Sequence, residues 1–298
     1  MEFIRSNLIR DRTSATEIIE RDLPINPLSH LILSMSACNV TNEWLLTEAL
    51  PFLNSVEVTR SGVTVINLQS EDLYGLNCYL YRKRPQFSQK VATDNATRTL
   101  GFIIPFGRRI FDPDECFPAT KKGDLTIRIN TTVIGTSADQ GIWSLEAVEM
   151  PGANPSHHLR AGLHVIAAPG ATGDNDVDLP IGNEIIALQL RMTTFPATDS
   201  HVYGVENARV LVDNKEFGYA AARAQCLVAD GIFRLDGQSG DIAAAGSILP
   251  VNQVWLDYDP HGDGNWLLDT KGKSSVKLRL NMGVNEATNL TVIERVAL

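Results

Sequence analysis

No stretch of this chain reaches the run of about 18 apolar residues that a membrane-spanning helix needs. The first residues, with Glu2 and Arg5, have no apolar core between a basic start and a cleavage site, which argues against a secretory signal. Cysteine is sparse. Cys38, Cys78, Cys116 and Cys226 lie far apart, with no CxxC pair and no metal-ligand spacing, so they are expected as buried free thiols rather than disulfides. Without an export route, the sequons at Asn39, Asn95, Asn130 and Asn289 read as strand and turn residues. Lys and Arg number 26 against 35 Asp and Glu and are scattered, which disfavours direct, sequence-specific nucleic-acid binding. There is no G-x-S-x-G elbow, no Walker loop, no G-x-G-x-x-G after a strand and no H-E-x-x-H. A catalytic pair of carboxylates assembled from distant strands is left open.

What the chain does contain, it contains twice. Leu23-Pro24-Ile25 precedes an alternating run in which Leu31, Leu33 and Met35 share a face; Leu179-Pro180-Ile181 precedes another with Leu188, Leu190 and Met192. A period of two is that of a half-buried strand, and each proline sits where a missing N–H does least harm. Strand-turn-strand patterns follow at Val56 to Val63 and Val210 to Phe217. Helical segments come next, one with Ser70 as N-cap ahead of Leu73, Leu76 and Leu80, the other from Tyr219 to Val228, with Asn77-Cys78 and Gln225-Cys226 at matching places. Thr120-Lys121-Lys122-Gly123 leads into Leu125 to Asn130, and Thr270-Lys271-Gly272-Lys273 leads into Val276 to Asn281, each strand placing Arg and then Asn at the same steps. Equivalents lie roughly 150 residues apart, the length of a domain and too long for a solenoid repeat. The expected fold is all-β, a domain duplicated in tandem, and 298 residues with 44% hydrophobic content suffice for two cores.

The expected divisions are an arm at 1–22, a first domain at 23–150, a linker at 151–156 and a second domain at 157–298. Ile4, Leu8 and Ile9 are spaced for a helical face on the arm, and Arg5, Arg10 and Arg12 make it a segment that packs on the first domain or reaches a neighbour or a lipid surface. Strands are expected at Leu28 to Ser36, Ser55 to Thr59, Val63 to Leu68, Thr99 to Pro105, Leu125 to Val133, Ile142 to Glu149 and Leu159 to Ala168, with a turn from Pro169 to Asp176. Surface excursions from Arg82 to Lys90 and from Ala229 to Ser247 occupy similar places in the two halves.

Chemistry has few candidates. Asp257, Asp259 and Asp263 alternate around a glycine turn as calcium ligands do, but Pro260 and Leu268 break the EF-hand pattern, so an ordinary Asx turn competes. Asp174, Asp176 and Asp178 carry the same two readings. Adjacent His157 and His158 point to opposite faces and are expected in a solvated linker. Arg108 and Arg109 are candidates for gripping a neighbour's acids. Trp44, Trp143, Trp255 and Trp266 are expected in cores, with a sugar-binding platform as the competing use.

Two β-domains of about eight short strands each, with one helix apiece, suggest two jelly rolls. The paired Leu-Pro-Ile entries, the paired helices at Leu73 and Ala220 and the paired closing strands at Leu125 and Val276 make the chain resemble the double-jelly-roll major capsid proteins of tailless, internally membraned icosahedral bacteriophages, in the lineage that includes adenovirus hexon. The resemblance covers nearly everything after Asp22. It implies a structural virion protein and not an enzyme: a homotrimer forming a pseudo-hexagonal capsomer, assembled in the host cytoplasm with neighbouring capsomers and minor capsid proteins, its arm reaching the internal membrane and no cofactor required. The short loops put a receptor-binding role in doubt. The rival reading is a peptide N-glycanase-like hydrolase on the same architecture, and a third is a carbohydrate-binding pair resting on Trp44 or Trp255.

Overall fold

The computed structural model describes residues 2–40, 44–83, 94–135, 138–196, 201–234 and 252–298. The chain forms two compact units, one built on residues up to Arg160 and the other on residues from Ala161 to Val296. The excursions expected at 82–90 and 229–247 lie largely outside the described residues.

In the first unit the order is β1 (Ile4–Thr13), β2 (Glu17–Asp22), β3 (Leu28–Asn39), α1 (Leu46–Ala49), β4 (Leu53–Arg60), β5 (Val63–Leu68), α2 (Ser70–Tyr81), β6 (Thr97–Pro105), β7 (Leu125–Thr131) and β8 (Ala138–Glu149). One sheet runs β1-β8-β3-β6 and the other β5-β4-β7-β2. The second unit has β9 (His157–Ile166), which starts at the end of the first, then β10 (Gly173–Asp178), β11 (Glu184–Arg191), β12 (Val205–Val212), β13 (Lys215–Glu216), β14 (Ala222–Arg223), α3 (Ala224–Arg234), β15 (Gln253–Asp257), β16 (Leu268–Asp269), β17 (Val276–Met282) and β18 (Thr288–Ala297). Its strands run β9-β18-β11-β15 and β10-β17-β12-β13, with β14 also on β12 and β16 on β11. With β13 and β14 taken as one broken strand and the two-residue β16 left out of the count, both units read first-eighth-third-sixth and second-seventh-fourth-fifth. This is the jelly-roll order, in which the first strand pairs with the last. The chain is therefore a double jelly roll.

Alternation decides what each strand buries. Leu31, Leu33 and Met35 on β3, and Leu188 and Leu190 on β11 with Met192 just past its end, are all buried. Leu125, Ile127 and Ile129 on β7 and Val276, Leu278 and Leu280 on β17 do the same from the opposite sheet. The repeated Arg and Asn of these strands take the outer face. Arg128 lies opposite Glu20 and Asn130 opposite Ile18, just as Arg279 lies opposite Asp176 and Asn281 opposite Asp174.

Several expectations fail for physical reasons. The segment expected as an arm is sheet: β1 pairs with β8 and β2 with β7, so residues 4–13 and 17–22 supply the first two strands of the first barrel. The pairing of β1 shifts register between Asn7 and Ile9 and again between Ile9 and Arg12, and Asp11 has φ 43°, so bulges erase the period of two and leave an apparent helical spacing. The supposed turn at Pro169 to Asp176 ends earlier, because Gly173 already begins β10. Helix α2 starts at Ser70 itself with Gln69 at its N-cap, and α3 starts at Ala224, later than expected. Asn77 sits deep in α2 while Gln225 is the second residue of α3, so these two do not correspond. Pro151 to Ser156 form a turn, with Gly152 at φ 81° and Ala153 N–H bonded to Met150 C=O; the units divide after Arg160, inside β9.

Candidate functional site

The acidic loop after β15 begins with an ion pair between partly exposed Arg234 and the buried carboxylate of Asp257. The Asp257 side chain, only 3% exposed, accepts a hydrogen bond from the Arg234 guanidinium and another from Asp259 N–H. Asp259 Oδ1 accepts Gly264 N–H at 2.8 Å, and Asp263 accepts both the backbone N–H and the amide of Asn265. Those bonds to Asn265 hold the Asp263 carboxyl below the usual carboxylate range. Each of the three calcium candidates thus caps loop backbone or meets a cation, the geometry of Asx turns, and among the described residues no three His, Cys, Asp or Glu side chains converge as metal ligands. The second acidic run is a strand: Asp176 receives both arms of Arg279 at 2.6 and 2.8 Å, Asp174 receives Asn281, and Asp178 lies 3.9 Å from Lys277.

The arginines assigned to the arm lie on β1. Arg5 pairs with Glu146 of β8, and Arg12 pairs with Glu17 at 2.6 Å; Arg10 is exposed and lies 3.5 Å from Asp11. Arg108 is tied within its own loop, its Nε 2.8 Å from buried Glu115, while Arg109 is exposed.

Histidines divide by barrel. His30 is buried on β3, its Nδ1 2.8 Å from Ser29 Oγ and its ring edge-on to Phe111; burial, with Arg5 nearby, lowers its pKa to about 4. His158 is no linker residue. It is buried against Phe117, its Nδ1 has no hydrogen-bond partner, and burial with Arg160, Arg60 and His157 nearby lowers its pKa to about 4. His164, His201 and His261 are exposed. Burial, with Asp112 and Asp114 nearby, pushes the Cys116 thiol up to about 12. All four cysteines are free, but Cys226 is exposed and Cys38 only partly covered. Trp44 and Trp143 are fully buried and Trp255 is partly covered, so the platform reading loses Trp44; the exposed one is Trp266, at 64%.

No helix among the described residues is long and apolar enough to cross a membrane. No pattern in the sequence marks Arg234, and its partner Asp257 reads there only as a calcium candidate.

No protein-family model matches the chain, and no curated protein matches it. Solved structures do. The major capsid protein P2 from Bacteriophage PM2 superposes with a TM-score of 0.64 at 14% identity, covering 100% of this chain and 98% of that one. The structure of Sulfolobus Turreted Icosahedral Virus gives 0.73 at 12% identity, covering 100% and 91%, and the Faustovirus major capsid protein 0.59 at 8%, covering 99% and 89%. At such identities the likeness establishes the double-jelly-roll fold, spanning nearly the whole of each protein.

Proposed function

We propose that this chain is a major capsid protein, a structural subunit of an icosahedral virion and not an enzyme. The observation that carries the reading is the end-to-end match of both barrels, with one strand order repeated, to capsid proteins of almost the same extent. A fold alone does not fix a function. Among the candidate residues, Asp257, Asp259 and Asp263 are engaged in capping turns and pairing with arginine, while His30 and His158 are buried in the first unit.

In this reading the chain forms a homotrimer whose six barrels make a pseudo-hexagonal tile. The tiles join neighbouring capsomers and minor capsid proteins around an internal membrane, in a bacterial virus assembled in the host cytoplasm. Light scattering on the purified chain should give three times the 32.6 kDa protomer mass, or large sheets, and negative-stain microscopy should show hexagonal tiles. A monomer that cleaves or retains glycans would replace this reading with the hydrolase or lectin one.

A further inference from the structure

The connection that leaves β6 is fixed at its base. Phe106 N–H bonds to Ser29 C=O at 3.2 Å, Leu28 and Phe117 exchange two backbone bonds at 2.9 Å, and Arg108 is tied to Glu115. Between these anchors stands Phe111, exposed and with a φ of 61°, a left-handed conformation that is costly for an aromatic residue. Its N–H donates to Ser29 Oγ at 2.7 Å, and its ring lies edge-on to His30 at 5.3 Å and to Phe3 at 5.5 Å. These contacts hold the strained residue down.

The same hydroxyl meets His30 Nδ1 at 2.8 Å, and both Ser29 and His30 are buried. A backbone N–H can only donate, so Ser29 Oγ accepts from Phe111; its single proton then belongs on Nδ1, since Oγ has no third partner among the described residues and an unmade buried donor is costly. His30 is therefore neutral, with its own proton on Nε2. A relay runs from Phe111 N–H to Ser29 Oγ and from Ser29 O–H to His30 Nδ1.

A proton added at Nδ1 reverses the second bond. The imidazolium can only donate there, so the Ser29 proton must turn away without an acceptor while Oγ serves two N–H donors at once. From β1 the ring faces Arg5, which opposes a second cation and is itself paired with Glu146 of β8. Of the other acids on the packed elements, buried Glu149 of β8 is taken by Ser6 and Asn26, Glu115 holds Arg108, Asp112 accepts Asp114 N–H, and Glu2 and Asp114 are exposed, as is the cation Arg109. On β6 the residue opposite His30 is Pro105, which carries no charge.

We propose that His30, Ser29 and Phe111 form an acid-released latch: proton uptake at His30 breaks the hydroxyl relay, and Phe111 with its flanking residues lets go of the barrel while the strand ladders stay closed. The latch belongs to the first unit and does not rest on the capsid reading.

Hydrogen exchange of the full chain, followed peptide by peptide and corrected for the intrinsic effect of pH, reads the latch. Between pH 7 and pH 5 exchange around Phe111 should rise about twentyfold, the factor for a ring released from a pKa of about 4 to the ordinary 6.5, while β4 and β7 stay protected. His30→Asn, whose Oδ1 can accept the Ser29 proton but does not titrate, should keep the loop protected at both pH values. Ser29→Ala should loosen it by about fivefold already at pH 7. Thermal melting at pH 7 checks that each variant folds, and Ser29→Ala carries the test alone if His30→Asn does not. Unchanged exchange in the parent chain, the same rise in folded His30→Asn, a Ser29→Ala loop as protected as the parent's, or a rise shared by every strand would overturn the proposal.

Discussion

The two barrels share a strand order and differ in how they close the open edge of their first sheet. In the first barrel the edge strand β6 is met by α2, most of whose residues are buried; Asn77 donates its amide to Ile103 C=O at 2.7 Å and accepts Ile103 N–H at 2.8 Å, standing in for a neighbouring strand. In the second, α3 buries only Ala224 and Leu227 and leaves Phe233 88% exposed. It reaches β15 through charge instead: Arg234 bridges Asp230 and Asp257, while Tyr219 hydroxyl bonds both the N–H and the C=O of Asp257. Gly231 lies against the Trp255 ring, leaving little room for a Cβ. Duplication has kept the strand ladders and let the helices find separate solutions, because a jelly roll requires the ladder but only some cover for its edge.

Acid should separate the barrels most. His30 and His158 belong to the first unit, and both have folded-state pKa values near 4 against 6.5 in the unfolded chain. Above pH 6.5 both states are neutral and nothing is lost. Between 6.5 and 4 the unfolded chain takes up protons that the folded barrel refuses, so stability falls with pH, by about 3 kcal/mol per ring, and the loss levels off below 4. Chemical denaturation across this range should show the decline; His158→Leu should flatten part of it, and exposed His261→Asn should leave it unchanged. A profile that is the same for all three proteins would sink the distinction.

The helices supply the next contrast. Replacing Asn77 with Leu leaves two backbone groups of an edge strand without their partner and should cost about 2 kcal/mol in urea denaturation. Gln225→Ala, at the place that looked equivalent in the sequence, should stay within about 0.5 kcal/mol. Equal costs would mean that the two helices cover their sheets alike after all.

How much of this was legible follows from which patterns are local. The period of two in Leu31-Leu33-Met35 and Leu188-Leu190-Met192, and the Arg-Asn steps of β7 and β17, are set within single strands, so the strands and their duplication could be read. Ile4 to Thr13 could not, since two register shifts and a positive φ at Asp11 disrupt the alternation. Asp257 and Arg12 are visible in the sequence as charges, but their partners Arg234 and Glu17 are chosen by the fold. The Leu-Pro-Ile and Thr-Lys repeats are plain in the sequence, yet nothing there could say that Thr120 N–H meets Ile25 C=O, or that the isoleucine faces out.

The threonine joint gives the smallest contrast and the sharpest. Thr120 and Thr270 stand at the same place, and each backbone N–H bonds the opposite loop, but the Thr120 hydroxyl is buried without a partner whereas the Thr270 hydroxyl makes two hydrogen bonds. A methyl in place of the first hydroxyl removes a desolvated polar group that gains nothing, so Thr120→Val should be neutral or slightly stabilising. The same exchange at Thr270 orphans Gly182 N–H, shares Asn183 C=O with one donor fewer, and should cost about 1–2 kcal/mol. Thermal denaturation of the two variants side by side reads the difference directly, since the substitution is isosteric. If Thr120→Val proved the more damaging, the joint would draw its strength from something other than the hydroxyl, and the repeat of this residue would need another cause.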